Sequence, residues 1–215
     1  MKILTLLPLF LLGFSSLLPL INPIGTALII NPYLTNSSFA DRKKYSRTIV
    51  FYSFILGVST IFLGSWFLKV MGISIPVIQI AGGIIVASMG LSLLNTKSST
   101  DDNSLTEKIE NSLFYPIAFP FTLGPGGISA LIALSAHAQT TDVTDTFLNM
   151  AALSASLFMA LILSYFCYTY SDYVFRKIGS TGNIIINRLM AFVVFSVGIQ
   201  MLVTGLGNAF PNLFR

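Results

Sequence analysis

Long apolar runs separated by short polar stretches dominate this chain, and the runs do not alternate with the period of a strand. Six stretches, 3–34, 48–68, 70–94, 111–136, 146–171 and 189–214, carry no charged side chain. A hydrocarbon core about 30 Å thick is crossed by roughly 20 helical residues, so each run is long enough to span it. Continuous rather than alternating hydrophobicity argues against a β-barrel. The pattern predicts an all-α, polytopic membrane protein with six transmembrane helices. Between the third and fourth runs, Asn95-Thr96-Lys97-Ser98-Ser99-Thr100-Asp101-Asp102-Asn103 is polar and without periodicity, the signature of a flexible linker. The expected organisation is a first three-helix repeat at 1–95, a cytoplasmic linker at 96–110 and a second repeat at 111–215. An odd number of spans per half makes the second half enter the membrane with opposite polarity. Related halves would therefore form two inverted three-helix repeats.

Composition agrees with a membrane protein. Hydrophobic residues make up 54% and charged residues 9% of the chain, with a mean hydropathy of +0.81, which excludes an ordinary soluble domain. The net charge of +4 has a topological rather than a nucleic-acid explanation, because Lys and Arg collect in cytoplasmic loops. Arg42, Lys43, Lys44, Arg47, Lys97, Lys108, Arg176, Lys177 and Arg188 fall on one side of the six runs, and Lys2, Lys69 and Arg215 on the other. This bias predicts cytoplasmic loops at 35–47, 95–110 and 172–188, both termini outside, and a multi-pass protein of the bacterial inner (plasma) membrane. Lys2 argues the other way and is outnumbered. The opening run has no A-x-A-like site after it and continues through a helix break, so it reads as a span and not a cleaved signal.

Two of the spans are interrupted in matching places. Asn22-Pro23-Ile24-Gly25 breaks the first and Gly124-Pro125-Gly126-Gly127 the fourth, with Pro23 against Pro125 and Gly25 against Gly127 at one common offset. Pro removes a backbone donor and Gly leaves helical geometry at little steric cost. Freed N–H and C=O groups persist in hydrocarbon only against protein or a watery cavity. Paired interruptions in corresponding halves are a sequence pointer to a transporter's binding site. The third and sixth spans also correspond, with Ser88 against Ser196 and Gly90 against Gly198. Small residues at Ala81, Gly82, Gly83, Ala87, Ser88 and Gly90 predict a close helix–helix approach in the third span.

Candidate chemistry is neutral. Every Asp and Glu falls in a loop or at a span end, so a buried carboxylate relay is not expected. His137 stands alone without ligand spacing to a second His or Cys, and Cys167 lies in an apolar run as a packing residue. No metal, cofactor or enzymatic activity is expected. A helix restarting after a break presents unpaired amides and a dipole that favours an anion. The carbonyls ending the preceding half-helix favour a cation or ammonium group. Two such breaks meeting at mid-membrane suit a small zwitterion such as an amino acid. The expected binding residues are Asn22, Gly25, Thr26, Gly124, Gly126, Gly127, Ser129 and Gln200, with Pro23 and Pro125 setting the breaks. Gln79 and Gln200 each have the alternative of bonding across helices. Arg188 either snorkels to headgroups or meets a carboxylate at the inner mouth. Kinks without any ligand are the competing explanation of the breaks.

These stretches resemble the MarC family of six-span bacterial membrane proteins, which includes small neutral amino acid transporters. The resemblance rests on Asn22-Pro23-Ile24-Gly25, Met71-Gly72-Ile73-Ser74, Ile80-Ala81-Gly82-Gly83, Pro116-Ile117-Ala118-Phe119-Pro120, Gly124 to Ser129, Arg188-Leu189-Met190, Gln200 and Gly205. It covers nearly the whole chain. Asn22 stands where family members often carry Asp, and Ala191 where an Arg-x-Met-Gly pattern would have Gly. The resemblance implies secondary transport, in either direction, of a small neutral amino acid such as glycine or alanine, by alternating access and within the lipid bilayer. The rival function is a non-transporting membrane scaffold or accessory protein. A homo-oligomer is compatible with either.

Overall fold

The computed structural model describes residues 3–34, 37–95 and 109–210; of the expected linker at 96–110, residues 96–108 lie outside the described residues. The elements run α1 (Ile3–Ile21), α2 (Pro23–Leu34), α3 (Phe39–Met71), α4 (Ile75–Asn95), α5 (Ile109–Ser112), a wide-turned π-type stretch (Leu113–Thr122, here π1), α6 (Pro125–His137) and α7 (Val143–Ala209). Five stretches are long and apolar enough to cross a membrane: Leu6–Ala27, Phe39–Gly64, Ile75–Ser92, Val143–Tyr173 and Ala191–Ala209. The pair Ile109–Thr122 and Pro125–Ala136, bent by 62°, makes a sixth if it crosses as one span.

The expected loop at 172–188 contains no non-helical gap, so one helical stretch, α7, runs from Val143 to Ala209. No proline falls in that interval, and nothing else there removes a backbone donor. A straight helix of 67 residues would reach about 100 Å at ~1.5 Å per residue. Yet Leu157 and Met201 both lie close to the start of α6. Leu157 and Leu123 flank Gly57, Leu123 flanks Gly127, and Met201 stands over Gly126. The helix axis therefore turns back between its two apolar stretches, Val143–Tyr173 (α7a) and Ala191–Ala209 (α7b).

Two apolar clusters hold the molecule together. The first joins Leu17 and Ile21 of α1, Ile61 of α3, Leu123, Leu131 of α6 and Leu153, Leu157 and Leu161 of α7a. The second joins Ala27, Ile30 and Leu34 of α2 with Ile49, Ile117 and Tyr168. Among the described residues, neither cluster includes a residue of α4 or α7b. Those two helices pack on each other through their backbones. A Cβ on Gly83 would come within 2.7 Å of the Leu202 nitrogen, and one on Gly205 within 2.9 Å of the Ile80 nitrogen. Gly90 and Gly198 are equally tight against Phe195 and Ala87. The expected small-residue face is thus a helix–helix seam, with Gly83, Ala87 and Gly90 in it and Ala81 and Ser88 exposed.

Among the described residues, one charged side chain is buried. Arg42, expected in a basic loop, sits on the first turns of α3 and is 2% exposed. Its guanidinium donates to Asn31 Oδ1 at 3.0 Å, to Ser171 Oγ at 3.2 Å and to Asp172 Oδ1 at 3.4 Å. Ser171 Oγ also donates to Asn31 Oδ1 at 3.0 Å. Asn31 is therefore engaged at one end of the bundle, tying α2 and α3 to α7a. Removing one partner of a buried pair strands the other, at about 3–5 kcal/mol. Because Asp172 retains 28% exposure, Arg42→Ala should cost an amount near the low end of that range. Thermal unfolding in detergent should show the loss, and the Asp172→Asn background should shrink it.

Candidate functional site

The first break is a single residue. Asn22 has φ +44°, the left-handed region that Asn tolerates better than most side chains. Its N–H closes α1 on the Leu18 carbonyl at 2.9 Å. Its own carbonyl accepts from the Thr26 amide at 2.8 Å, and its Oδ1 accepts from the Gly25 amide at 3.2 Å. Asn22 thus ends one helix and caps the next, and Pro23 fills the first helical position where no donor is required. Leu6–Ala27 passes through this point as one apolar span.

The second break is longer than the Gly124–Gly127 expected. It begins at Tyr115, where φ/ψ are −118°/125°, and recurs at Phe119 with −130°/125°. Each residue precedes a proline, Pro116 or Pro120, and the ring pushes its predecessor into extended geometry. Both X–Pro peptides are cis. Gly124 is extended (φ −80°, ψ 179°) and Pro125 opens α6. The amides of Gly126 and Gly127 belong to the first turn of α6, where no intrahelical acceptor exists.

A hydroxyl joins the two breaks. Thr26 Oγ1 donates within reach of two carbonyls, Ile21 at 2.8 Å and Phe121 at 3.3 Å. One hydroxyl proton serves one of them at a time, leaving acceptor capacity at the junction. On the far side, Thr122 Oγ1 donates to the Ile117 carbonyl at 2.9 Å, and Tyr168 OH donates to Thr122 Oγ1 at 3.2 Å. Tyr168 is fully buried and braces the second break from α7a.

Beside this junction lies a cavity of about 60 Å³. Its polar wall is Asn22, Thr26, Gly124, Gly126 and Gly127; its apolar wall includes Ile29, Val86, Val193, Val194, Val197 and Met201. Among the described residues, no ionisable side chain lines it. At ~10–15 Å³ per water, the space accommodates about four to six waters or a solute of comparable size.

Some expected site residues stay outside this wall. Gly25 is buried with its amide taken by Asn22. Ser129 turns its hydroxyl back to the Pro125 carbonyl at 2.8 Å. Gln200 is exposed, its amide donating to Thr204 Oγ1 at 3.3 Å on the same helix, and Arg188 is exposed as well. Gln79 accepts from Asn208 at 3.2 Å, the cross-helix bond weighed for it above. Pro23 and Pro125 are buried and shape the breaks. Tyr168 and the valine wall carried no polar signal that a reading of chemistry along the chain would find. Among the described residues, no group of His, Cys, Asp and Glu is arranged to hold a metal ion.

Comparison with known proteins shows the family. Residues 7–210 match the family described as MarC family integral membrane protein. The chain belongs to the MarC family. It is 32% identical to a UPF0056 membrane protein of Buchnera aphidicola subsp. Acyrthosiphon pisum, over 97% of each chain. A second Buchnera relative, from subsp. Schizaphis graminum, is also 32% identical, over 94% of this chain and 93% of its own. The UPF0056 inner membrane protein MarC of Escherichia coli O1:K1 is 30% identical, over 91% of this chain and 92% of that one. No solved structure matches. This MarC-family chain is accordingly a multi-pass inner-membrane protein.

The break geometry predicts how Asn22 responds to change. Asn22→Ala removes a cap worth about 1 kcal/mol and forces a Cβ-bearing residue without polar compensation into the left-handed region, at a further ~1–2 kcal/mol. Asn22→Asp keeps both functions and should unfold within a few degrees of the parent. Equal melting of the alanine variant in detergent would contradict the capping role.

Proposed function

We propose that this protein is a secondary transporter of small neutral amino acids, glycine and alanine being the best fit, working by alternating access around the two helix breaks. The observation that carries the reading is the Thr26–Phe121 contact, which joins both interruptions at the wall of one small, uncharged cavity. A solute with net charge would enter that cavity without a counter-ion, at several kcal/mol. A zwitterion brings both charges with it. Its carboxylate suits the first-turn amides of Gly126 and Gly127 at the positive end of α6. Its ammonium suits the carbonyls at the end of α1 and at Phe121.

Packing supports an inverted repeat. The first span of each half lies on the second span of the other half: α1 on α7a, where Ser156 Oγ donates to the Phe10 carbonyl at 2.8 Å, and α6 on α3, where Gly64 meets Ile132. The third spans, α4 and α7b, pack on each other. Such reciprocal exchange is what a two-fold axis in the membrane plane produces. With the basic loops in the cytoplasm, Ile29, Val86, Val193 and Val194 lie on the cytoplasmic side of the breaks. Gly82, Pro125 and Met201 meet at the level of the breaks, and Pro19 and Leu20 line the cavity from the other side of the first break.

The decisive experiment is counterflow in proteoliposomes with labelled alanine, repeated under imposed proton and sodium gradients. Uptake above that of empty vesicles is expected; its absence with every small neutral amino acid overturns transport and returns the chain to an accessory role. Gly126→Leu should abolish exchange while the protein still inserts, because a Cβ there already stands 2.8 Å from Met201 Sδ. Wild-type rates in that variant would exclude the α6 N-terminus from the site.

A further inference from the structure

We propose that Met201 sets the upper size of the solute held between the two breaks. The inference rests on the transport reading and concerns the apolar half of the same cavity. Four valines, Val86, Val193, Val194 and Val197, stand in that wall, and their branched side chains are stiff. Met201 is different in reach and in what it faces. It projects from α7b, is 8% exposed, and lines the cavity. Its sulfur lies 2.8 Å from where a Cβ on Gly126 would stand, and its methyl 3.1 Å from a Cβ on Gly82. The Pro125 ring closes on Gly82 from the other side. The thioether therefore occupies space left by two glycines on two different helices, beside Gly126, whose amide is one of those that would hold a carboxylate.

A carboxylate seated on those amides carries its α-carbon, and hence its side chain, toward the same space. Glycine or alanine fits with Met201 in place; a branched or longer side chain meets the thioether. Methionine is flexible enough to fill such an irregular gap, and shortening it opens room beside Gly126, where the next side chain is Leu20, 3.7 Å from a Cβ at that position. Gly82 and Gly126 then have one purpose in common: each leaves room for the side chain that limits the cavity.

The test uses Met201→Cys in a Cys167→Ala background, reconstituted for counterflow with labelled glycine, alanine, valine and leucine. In the parent, glycine and alanine exchange faster than leucine. In Met201→Cys the leucine-to-alanine rate ratio should rise about tenfold, the low end of what one methylene discriminates in an apolar pocket. Methyl methanethiosulfonate transfers its methylthio group to the thiolate and releases methanesulfinate, rebuilding a side chain of methionine length. It should restore the parent ratio. Met201→Ala should show the same widening without response to the reagent, and it serves if the cysteine variant does not insert. An unchanged ratio in inserted, exchanging variants overturns the assignment while leaving transport standing. No exchange by the parent protein overturns the transport reading and this inference with it.

Discussion

Unpaired backbone inside hydrocarbon is the constraint that the centre of this protein answers. Each orphaned amide or carbonyl costs several kcal/mol in lipid, so a broken helix persists only where its freed groups find partners. Asn22 meets this need for the first break with one residue, closing α1 through its amide and capping α2 through its side chain. The second break has two prolines before it and a glycine-rich restart after it, and draws on a wider set of partners. Thr122 and the buried Tyr168 hold its near side, and Thr26 reaches across from the first break. Some first-turn amides of α6 stay without a helical partner, and the cavity lies where they are. Satisfied groups build the frame; on the transport reading, unsatisfied ones set what it can bind.

Much of this was legible in the chain. Charge-free runs of span length announce themselves because lipid leaves no alternative to a helix, and Pro beside Gly marks where such a helix must open. The extent of the second opening was also readable in principle. Tyr115 and Phe119 each precede a proline, and that steric rule extends the irregular stretch well upstream of Gly124. Which face of a helix turns inward was not readable. In a soluble helix the polar face points outward, but a span is apolar toward lipid and toward protein alike, so Gln200 and Val197 give no directional signal. Gln200 turned out exposed, and Val197 lines the cavity. Arg42 misled for a related reason. A basic residue beside an apolar run looks like a loop charge unless its partners, Asn31 and Asp172, are known to converge on it.

The positions of the glycines divide the molecule into parts with different work. Six elements, α1, α2, α3, π1, α6 and α7a, interlock through two apolar clusters and the Arg42 network. The α4–α7b pair stands outside both clusters and is held within itself by backbone contact at Gly83, Gly90, Gly198 and Gly205. Without a hydrophobic contrast between protein and lipid, such close approach is the main source of helix association. The pair is thus internally tight and meets the rest mainly through the valine wall, Met201 and the Gly82–Pro125 contact. On the transport reading, this is the boundary where movement costs least. Sliding α4 and α7b together over the breaks leaves both clusters intact, keeps the glycine seam closed and changes only apolar contacts around the cavity. The polar groups that would grip a zwitterion all belong to the interlocked part. Binding and gating are then divided between a fixed cradle and a wall that can shift against it, with Met201 at their meeting point.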